Sequence, residues 1–426
     1  MDFKKHTLKS GLRVILAPQK DAPAATVLVL VEAGSKYETK KTNGLSHFLE
    51  HMVFKGTQKR PTALAISKEL DGLGAEYNAF TSHEYTGYFA KAAARHSERT
   101  LDIISDMYVN PIFDSKEIEK EKGVVIEELN MYEDTPQRKV GDLFMELLYG
   151  DQPAGWDIGG SKETVRGLTR EEILDYRGKH YVAGATLVVI AGNLESLGGE
   201  KEILAKIEKQ FANVTTGEKH GKEKTTESQS KPEILVRFKE SDQTHLVLGA
   251  RAFDLFDKRK YALDVLSDVL GGGMSSRLFQ KVREELGAAY YVRAGADLFT
   301  DHGFLGVAVG AEHSKLEVVI KAILGELKRV ADGDFSEKDL RHGKDHMLGK
   351  LMLGLETSDE LAMFYGGQEI LEKELKTPEE AAKKLAAVTR EEVISVAKDI
   401  FRNDRLNMAL IGPYKEKSAF EKILKF

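Results

Sequence analysis

The stretch TNGLSHFLEHMVFKGT, residues 42–57, decides how the rest of the chain is read. Wound as an α-helix from His47, it places His51 at about 40° and Glu50 at about 300° around the axis. Leu45, Phe48, Leu49 and Met52 fall between about 100° and 200°, an apolar stripe on the opposite side. Two histidines four apart on one helical face can reach a single cation, a spacing that recurs in zinc enzymes. Glu50 stands immediately before the second histidine, giving His-x-x-Glu-His, the reverse of the zincin order. The pattern predicts a helix buried along one side and carrying, on the other, a metal site short of one protein ligand.

Composition limits what that site can be. The chain has 426 residues, enough for two domains, with 42% hydrophobic and 31% charged residues, the balance of a soluble globular protein. Its net charge of -6 gives no general attraction to nucleic acid. There is no cysteine, so thiolate ligands, disulfides and a cysteine nucleophile are excluded, and any metal must be held by histidine and carboxylate. The first twenty residues show no apolar segment of the length a secretory signal needs. The most apolar run, residues 25–31, is far too short to span a membrane. The expectation is a cytoplasmic protein with no membrane and no nucleic-acid partner.

Strands are expected at 6–18 (two, about a glycine turn), 26–31, 77–82, 86–92 and 185–191. Amphipathic helices are expected at 63–73, 96–108, 116–132 and 170–179. Residues 213–232 hold hardly an apolar residue and read as a linker. Beyond it the pattern restarts at an offset of roughly 220 residues. LGAEY at 73–77 returns as LGAAY at 286–290, His96-Ser97 as His313-Ser314, and FDSK at 113–116 loosely as FSEK at 335–338. TREE at 169–172 returns at 389–392, and the strand at 185–192 is echoed at 405–412. The fold class expected is therefore α+β, as two duplicated layered domains, 1–212 and 233–426, each a mixed sheet with helices. Two such halves would face one another about a pseudo-twofold axis. The histidine helix has no copy: its place is taken by residues 261–270, which contain no histidine. One metal centre per chain follows.

A third ligand is expected from the acid-rich helix, where Glu117, Glu119, Glu121, Glu127 and Glu128 all compete; spacing alone does not rank them. A second histidine pair, His342 and His346, lacks a glutamate in either zincin position and includes Gly343, so it reads as a surface pair. The triplet 271–273 resembles a phosphate loop only in composition and reads as a flexible loop beside substrate.

HFLEHMVFKGT at 47–57, LGAEYNAFTS at 73–82 and EKEKGVVIEELNMYEDTP at 119–136 closely resemble the pitrilysin/insulinase family of inverzincin metallopeptidases. The likeness extends over essentially the whole chain and is greatest to short bacterial members and to the catalytic subunit of the mitochondrial processing peptidase. It implies one Zn2+ per chain on His47, His51 and Glu128, the last picked over Glu127 by a gap of about 76 residues. It also implies a supporting acid at Glu121, orienting a ligand histidine, and Glu50 as general base toward metal-activated water. The REELGAAY segment, 283–290, resembles the family's arginine–tyrosine pair, so Arg283 and Tyr290 are expected to stabilise the reacting carbonyl. The strand with Asn78, Ala79 and Phe80 is expected to pair with an extended peptide substrate.

The resemblance thus implies a zinc metalloendopeptidase acting on short or unfolded peptides in an enclosed chamber. It implies pairing too, as a homodimer or with a related non-catalytic subunit, because some relatives carry four such repeats. The competing reading is a structural or assembly subunit of the same fold; such relatives lose metal-site residues, whereas here every position is filled.

Overall fold

The computed structural model describes residues 2–426 and divides the chain into two compact units. The first unit holds a six-stranded sheet of β1 (Lys4–Thr7), β2 (Arg13–Pro18), β3 (Ala24–Val31), β4 (Glu76–Thr81), β5 (Thr86–Ala93) and β6 (Thr186–Gly192). Its order is β1-β2-β6-β3-β5-β4. Only the β2–β6 pair is parallel, the others being antiparallel. The second unit holds β7 (Glu233–Phe238), β8 (Thr244–Arg251), β9 (Ala289–Leu298), β10 (Gly303–Ala311) and β11 (Leu406–Gly412) in the order β7-β11-β8-β10-β9. Again one pair, β11–β7, is parallel. Apart from β1, the two sheets have the same topology, with β4 and β9 at equivalent edges.

The repeat persists in hydrogen bonds. Thr169 and Thr389 each cap a helix, Arg170–His180 and Arg390–Ile400, in reciprocal capping boxes with Glu172 and Glu392. The next residue in each case, Arg170 or Arg390, donates to the carbonyl of Phe113 or Phe335. These are the TREE and FDSK/FSEK echoes of the sequence, and they explain why those short motifs recur in the same order.

The units are not contiguous in sequence. Residues 352–379 join the first and residues 131–156 the second, and the chain passes from the first unit to the second between Glu223 and Lys224. This differs from the expected continuous halves 1–212 and 233–426, and the reason lies in the sheets. The central strands are buried on both faces, so each sheet needs helices on both sides. On β3, Val27, Val29 and Val31 enter the main core of the first unit. Leu28 and Leu30 point the other way and meet helix Ser358–Leu371. In the second unit Val247, Ala409 and Ile411 pack with Val140, Leu143 and Phe144 of helix Pro136–Tyr149. Each half of the sequence therefore supplies the outer helix of the other half's sheet. The polar segment is also less detached than its composition suggests, because Lys219 reaches Glu32 and Lys222 lies 3.2 Å from Glu84.

The helix Ser358–Leu371 is held by a buried charge network and a close approach. Arg13 bonds Glu32 and the Glu369 carboxylate, and Lys5 lies 2.7 Å from the second Glu369 oxygen. At Gly366 an added Cβ would stand 2.7 Å from Leu30 Cδ1 and 3.2 Å from Leu28 Cδ2, whereas at Gly367 it would meet nothing. Gly366→Val should destabilise the protein by about 1–3 kcal/mol through overpacking. Gly367→Ala should stabilise it by roughly 0.5–1 kcal/mol through helix propensity alone. Urea-unfolding midpoints that move in opposite directions would check the packing.

Candidate metal centre and active site

The histidine helix, Leu45–Val53, is only nine residues long and starts without a serine or threonine cap. Gly44 occupies the N-cap position in the left-handed conformation, φ 95°. The free N–H groups are taken instead by Glu38, whose carboxylate accepts from Gly44 N at 2.8 Å, Ser46 N at 2.6 Å and Asn43 Nδ2 at 3.1 Å. Burial pushes the Glu38 carboxyl up to about 7, against the pull of those donors. A Cβ on Gly44 would fall 2.5 Å from Gly159 O, so the helix start is locked against the loop at Gly159 and Gly160. Leu45, Phe48, Leu49 and Met52 are buried in the core, as the apolar stripe predicts. Nothing in the local sequence pattern singled out Glu38, because a single acid in the irregular segment before the helix has no periodic signature.

On the other face His47, His51 and Glu128 bring one donor atom each to within 4.8 Å of one another, the sole such group of three or more among the described residues. Glu128 Oε2 lies 3.6 Å from His47 Nε2 and 3.3 Å from His51 Nε2. Ligands at tetrahedral angles around zinc, with bonds of about 2.0–2.1 Å, stand ~3.3 Å apart. The separations thus exceed an ordinary N–H···O bond and fit shared coordination of one zinc ion. The two imidazole rings meet edge to face at 76°, so both Nε2 atoms face the carboxylate without stacking.

The helix Ser115–Glu133 resolves the competition among its acids. Glu121, buried, bonds His51 Nδ1 at 2.9 Å and Lys55 Nζ at 2.5 Å. This bond places the His51 proton on Nδ1 and leaves Nε2 as a donor to metal. Glu119 pairs with Lys122, Glu117 lies by Lys120, and Glu127 accepts from Asn130, all on the outer surface. Burial disfavours a charged His51, but Glu121 and Glu128 outweigh it and raise its pKa to about 9. The cluster therefore favours positive charge where a divalent cation would sit. Glu50 stands outside the three-donor group; its Oε2 accepts from Thr81 Oγ1 at 2.6 Å, and burial pushes its carboxyl up.

Two parts of the chain match descriptions of known domains: residues 13–161 match Insulinase (Peptidase family M16), and residues 167–347 match the Peptidase M16 inactive domain. The uncharacterized zinc protease YmxG of Bacillus subtilis is 36% identical over 412 residues, covering 96% of this chain and 98% of its own length. The chain belongs to the insulinase (M16) peptidase family. An uncharacterized zinc protease of Streptomyces coelicolor is 33% identical, covering 98% of this chain and 91% of its own. Among solved structures, a protease from Helicobacter pylori is similar with a TM-score of 0.90 at 21% identity, covering 97% of this chain and 99% of its own. A peptidase M16 inactive domain from Pseudomonas fluorescens gives 0.88 at 18% identity, with 97% and 99% covered. The M16 relatives are named zinc proteases, and zinc is the metal that the two imidazoles and one carboxylate fit.

In this M16 chain, β4 carries Asn78, Ala79 and Phe80 at the free edge of the first sheet. Asn78 is exposed and its Oδ1 accepts from Ala79 N at 2.9 Å, while the Ala79 side chain is buried. The Phe80 ring covers Gly87, where a Cβ would fall 2.2 Å from its tip. The second unit brings Arg283 and Tyr290 together. Arg283 lies on a π-helix, Phe279–Glu285, and its guanidinium stands 5.5 Å from the centre of the Tyr290 ring. Tyr290 sits at a bulge, because Gly310 pairs with Tyr291 while Ala311 pairs with Ala289. That irregularity turns the ring outward, 74% exposed. The family resemblance implied the pair but neither backbone device, since both depend on hydrogen-bond register. His342 and His346 are held by Ser275 and Asp268 and belong to no metal-binding group of three among the described residues. No helix among the described residues is long and apolar enough to cross a membrane.

Removing the Glu121 carboxylate tests its part in the site. Glu121→Ala should weaken zinc binding by about 10–100-fold, whereas Glu119→Ala should leave it unchanged. Competition against a chromogenic chelator measures both.

Proposed function

We propose that this chain is a zinc-dependent endopeptidase that cleaves short or unfolded peptides in an enclosed chamber. The observation that carries the reading is the convergence of His47, His51 and Glu128, with a separate half-buried glutamate, Glu50, one residue from a ligand. Zinc held by those three residues supplies Lewis-acid activation of water and of the scissile carbonyl. Glu50 is the general base: Thr81 fixes Oε2, leaving Oε1 to take the proton from water and pass it to the leaving amine. Burial raises the affinity of this carboxylate for a proton, which suits both halves of that transfer. In the same reading Arg283 and Tyr290 hydrogen-bond the substrate carbonyl as charge develops. The free edge of β4 pairs with the extended peptide, with Asn78 touching it and Ala79 and Phe80 presenting backbone.

The family resemblance supports pairing with a second copy or a related non-catalytic subunit, since this chain has two of the repeats that some relatives carry fourfold. The structural-subunit reading is less well supported, because the base and all three metal-facing residues are in place.

Glu50→Gln preserves shape and removes the base. The variant should retain one zinc per chain and lose roughly 10²–10⁴-fold in hydrolysis of an unfolded peptide. Zinc content by atomic emission and cleavage of a quenched fluorescent peptide decide it. Full activity in the variant would overturn the role of Glu50, and wild-type protein with zinc but no cleavage, alone or with a partner chain, would favour the structural reading.

A further inference from the structure

Beside the arginine–tyrosine pair, the second unit has a pocket of about 470 Å³ of whose lining the proposed chemistry uses only Arg283. Its walls are the glycine turn at 271–274, the π-helix at Phe279 and Arg283, and β9 at Tyr291, Val292 and Arg293, with Lys350 from helix Glu337–Leu353. The volume is that of a ligand pocket, about 300–1,000 Å³. Phe279 and the buried Val292 give part of the lining an apolar character. The ionisable groups of opposite sign are missing: Arg283, Arg293 and Lys350 line the pocket, and no aspartate or glutamate does.

That imbalance runs against the chain as a whole, which has more acids than bases. It is not relieved by neighbours. Among the described residues neither the Arg283 nor the Arg293 side chain has an ion pair or a hydrogen bond; the Arg283 guanidinium rests over the Phe279 and Tyr290 rings. Lys350 donates one long bond, 3.3 Å, to Gly272 O and keeps its other protons. Asp268, behind the glycine turn, is bonded to His346. Lys281 and Glu285 neutralise one another on the outer face of the π-helix. Arg283, Arg293 and Lys350 bring three cationic residues to one pocket that no acid lines, and an anion entering it meets attraction uncompensated by a lining carboxylate.

The setting selects the kind of anion. β9 is the free edge of its sheet, ten residues long, and an exposed edge of that length accepts an extended peptide strand by backbone pairing. The glycine turn stays narrow because Gly271 and Gly272 have no room for a side chain; a Cβ would fall 2.1 Å from Ala294 N or from Asp268 Oδ1. Guanidinium groups recognise carboxylates through paired N–H donors. We infer that the pocket formed by Arg283, Arg293 and Lys350 beside β9 binds a carboxylate of the peptide substrate, either an aspartate or glutamate side chain or the free C-terminus. The inference rests on the peptidase reading for the identity of the ligand as a peptide. Arg293 and Lys350 are then selectivity residues, separate from the chemistry at zinc.

The test uses one fluorescent unfolded peptide in three forms: with an internal glutamate and a free C-terminus, with that glutamate changed to glutamine, and with the C-terminus amidated. Binding is read by anisotropy on zinc-loaded protein carrying Glu50→Gln, so that nothing is cleaved. Loss of whichever carboxylate the pocket takes should weaken binding roughly tenfold. In the Arg293→Ala/Lys350→Ala background the same change should have little further effect, and Arg293→Lys should recover part of the preference. A preference for the glutamate or for the free terminus identifies the source, and either supports the inference. Equal affinity for all three forms, or a preference that survives the double variant, overturns it. Cleavage of the same peptides by wild-type protein is scored separately. Selective binding without cleavage would sink the peptidase reading alone, and cleavage without selectivity would sink only the carboxylate pocket.

Discussion

The carboxylate of Glu38, bonded to the N–H groups of Gly44 and Ser46, is the constraint on which the metal centre depends. A nine-residue helix in water is below the length at which helices hold themselves together. Here one face is fixed by burial of Leu45, Phe48, Leu49 and Met52, and the first turn is fixed by an acid that has lost its own solvent. Burial of Glu38 is costly enough to lift its pKa to about 7. The return is that His47 and His51 start from a helix end whose position is set by Gly44 against Gly159. A Cβ on Gly159 would in turn come within 2.8 Å of Leu129 and 3.8 Å of His47 Nδ1. The loop therefore sits against both a ligand and the residue next to Glu128, tying together the two helices that must converge on one ion.

Much of this was visible in the chain and some of it could not be. The helical phase of His47, Glu50 and His51 is a property of local spacing, and the apolar stripe behind them needed no tertiary information. The repeat was visible because capping boxes and strand runs are local signals, and the structure shows them doing the same job at Thr169 and Thr389. Spacing could not choose among five glutamates, because the choice depends on which side of the helix Ser115–Glu133 meets the histidines. Glu38 was invisible for the same reason.

The exchanged helices show a different limit. The periodicity of Val140, Leu143, Phe144 and Leu148 says that residues 136–149 bury a face, and Pro136 after Thr135 marks where that helix begins. It does not say which sheet receives it. The natural assumption assigns each helix to the strands nearest in sequence, which gives continuous halves. Burial of both faces of β3 and β11 argues otherwise, since the helices lying between their strands in sequence cover only one face.

Duplication followed by divergence also accounts for how the two units differ in charge. They share a sheet topology, and the equivalent edge strands β4 and β9 are both unpaired on one side. Next to β4 the first unit gathers two histidines and three carboxylates, Glu50, Glu121 and Glu128, a set that favours a cation. Next to β9 the second unit has no histidine in the equivalent helix, Lys260–Gly271, and gathers Arg283, Arg293 and Lys350. The side chains flanking each edge then determine what else is recognised: a divalent metal in one copy and, on the reading argued above, a carboxylate in the other. A peptide offers both a backbone that pairs without regard to sequence and charged groups that depend on it, so on that reading opposite charges beside two equivalent edges would separate catalysis from selectivity within one repeated fold.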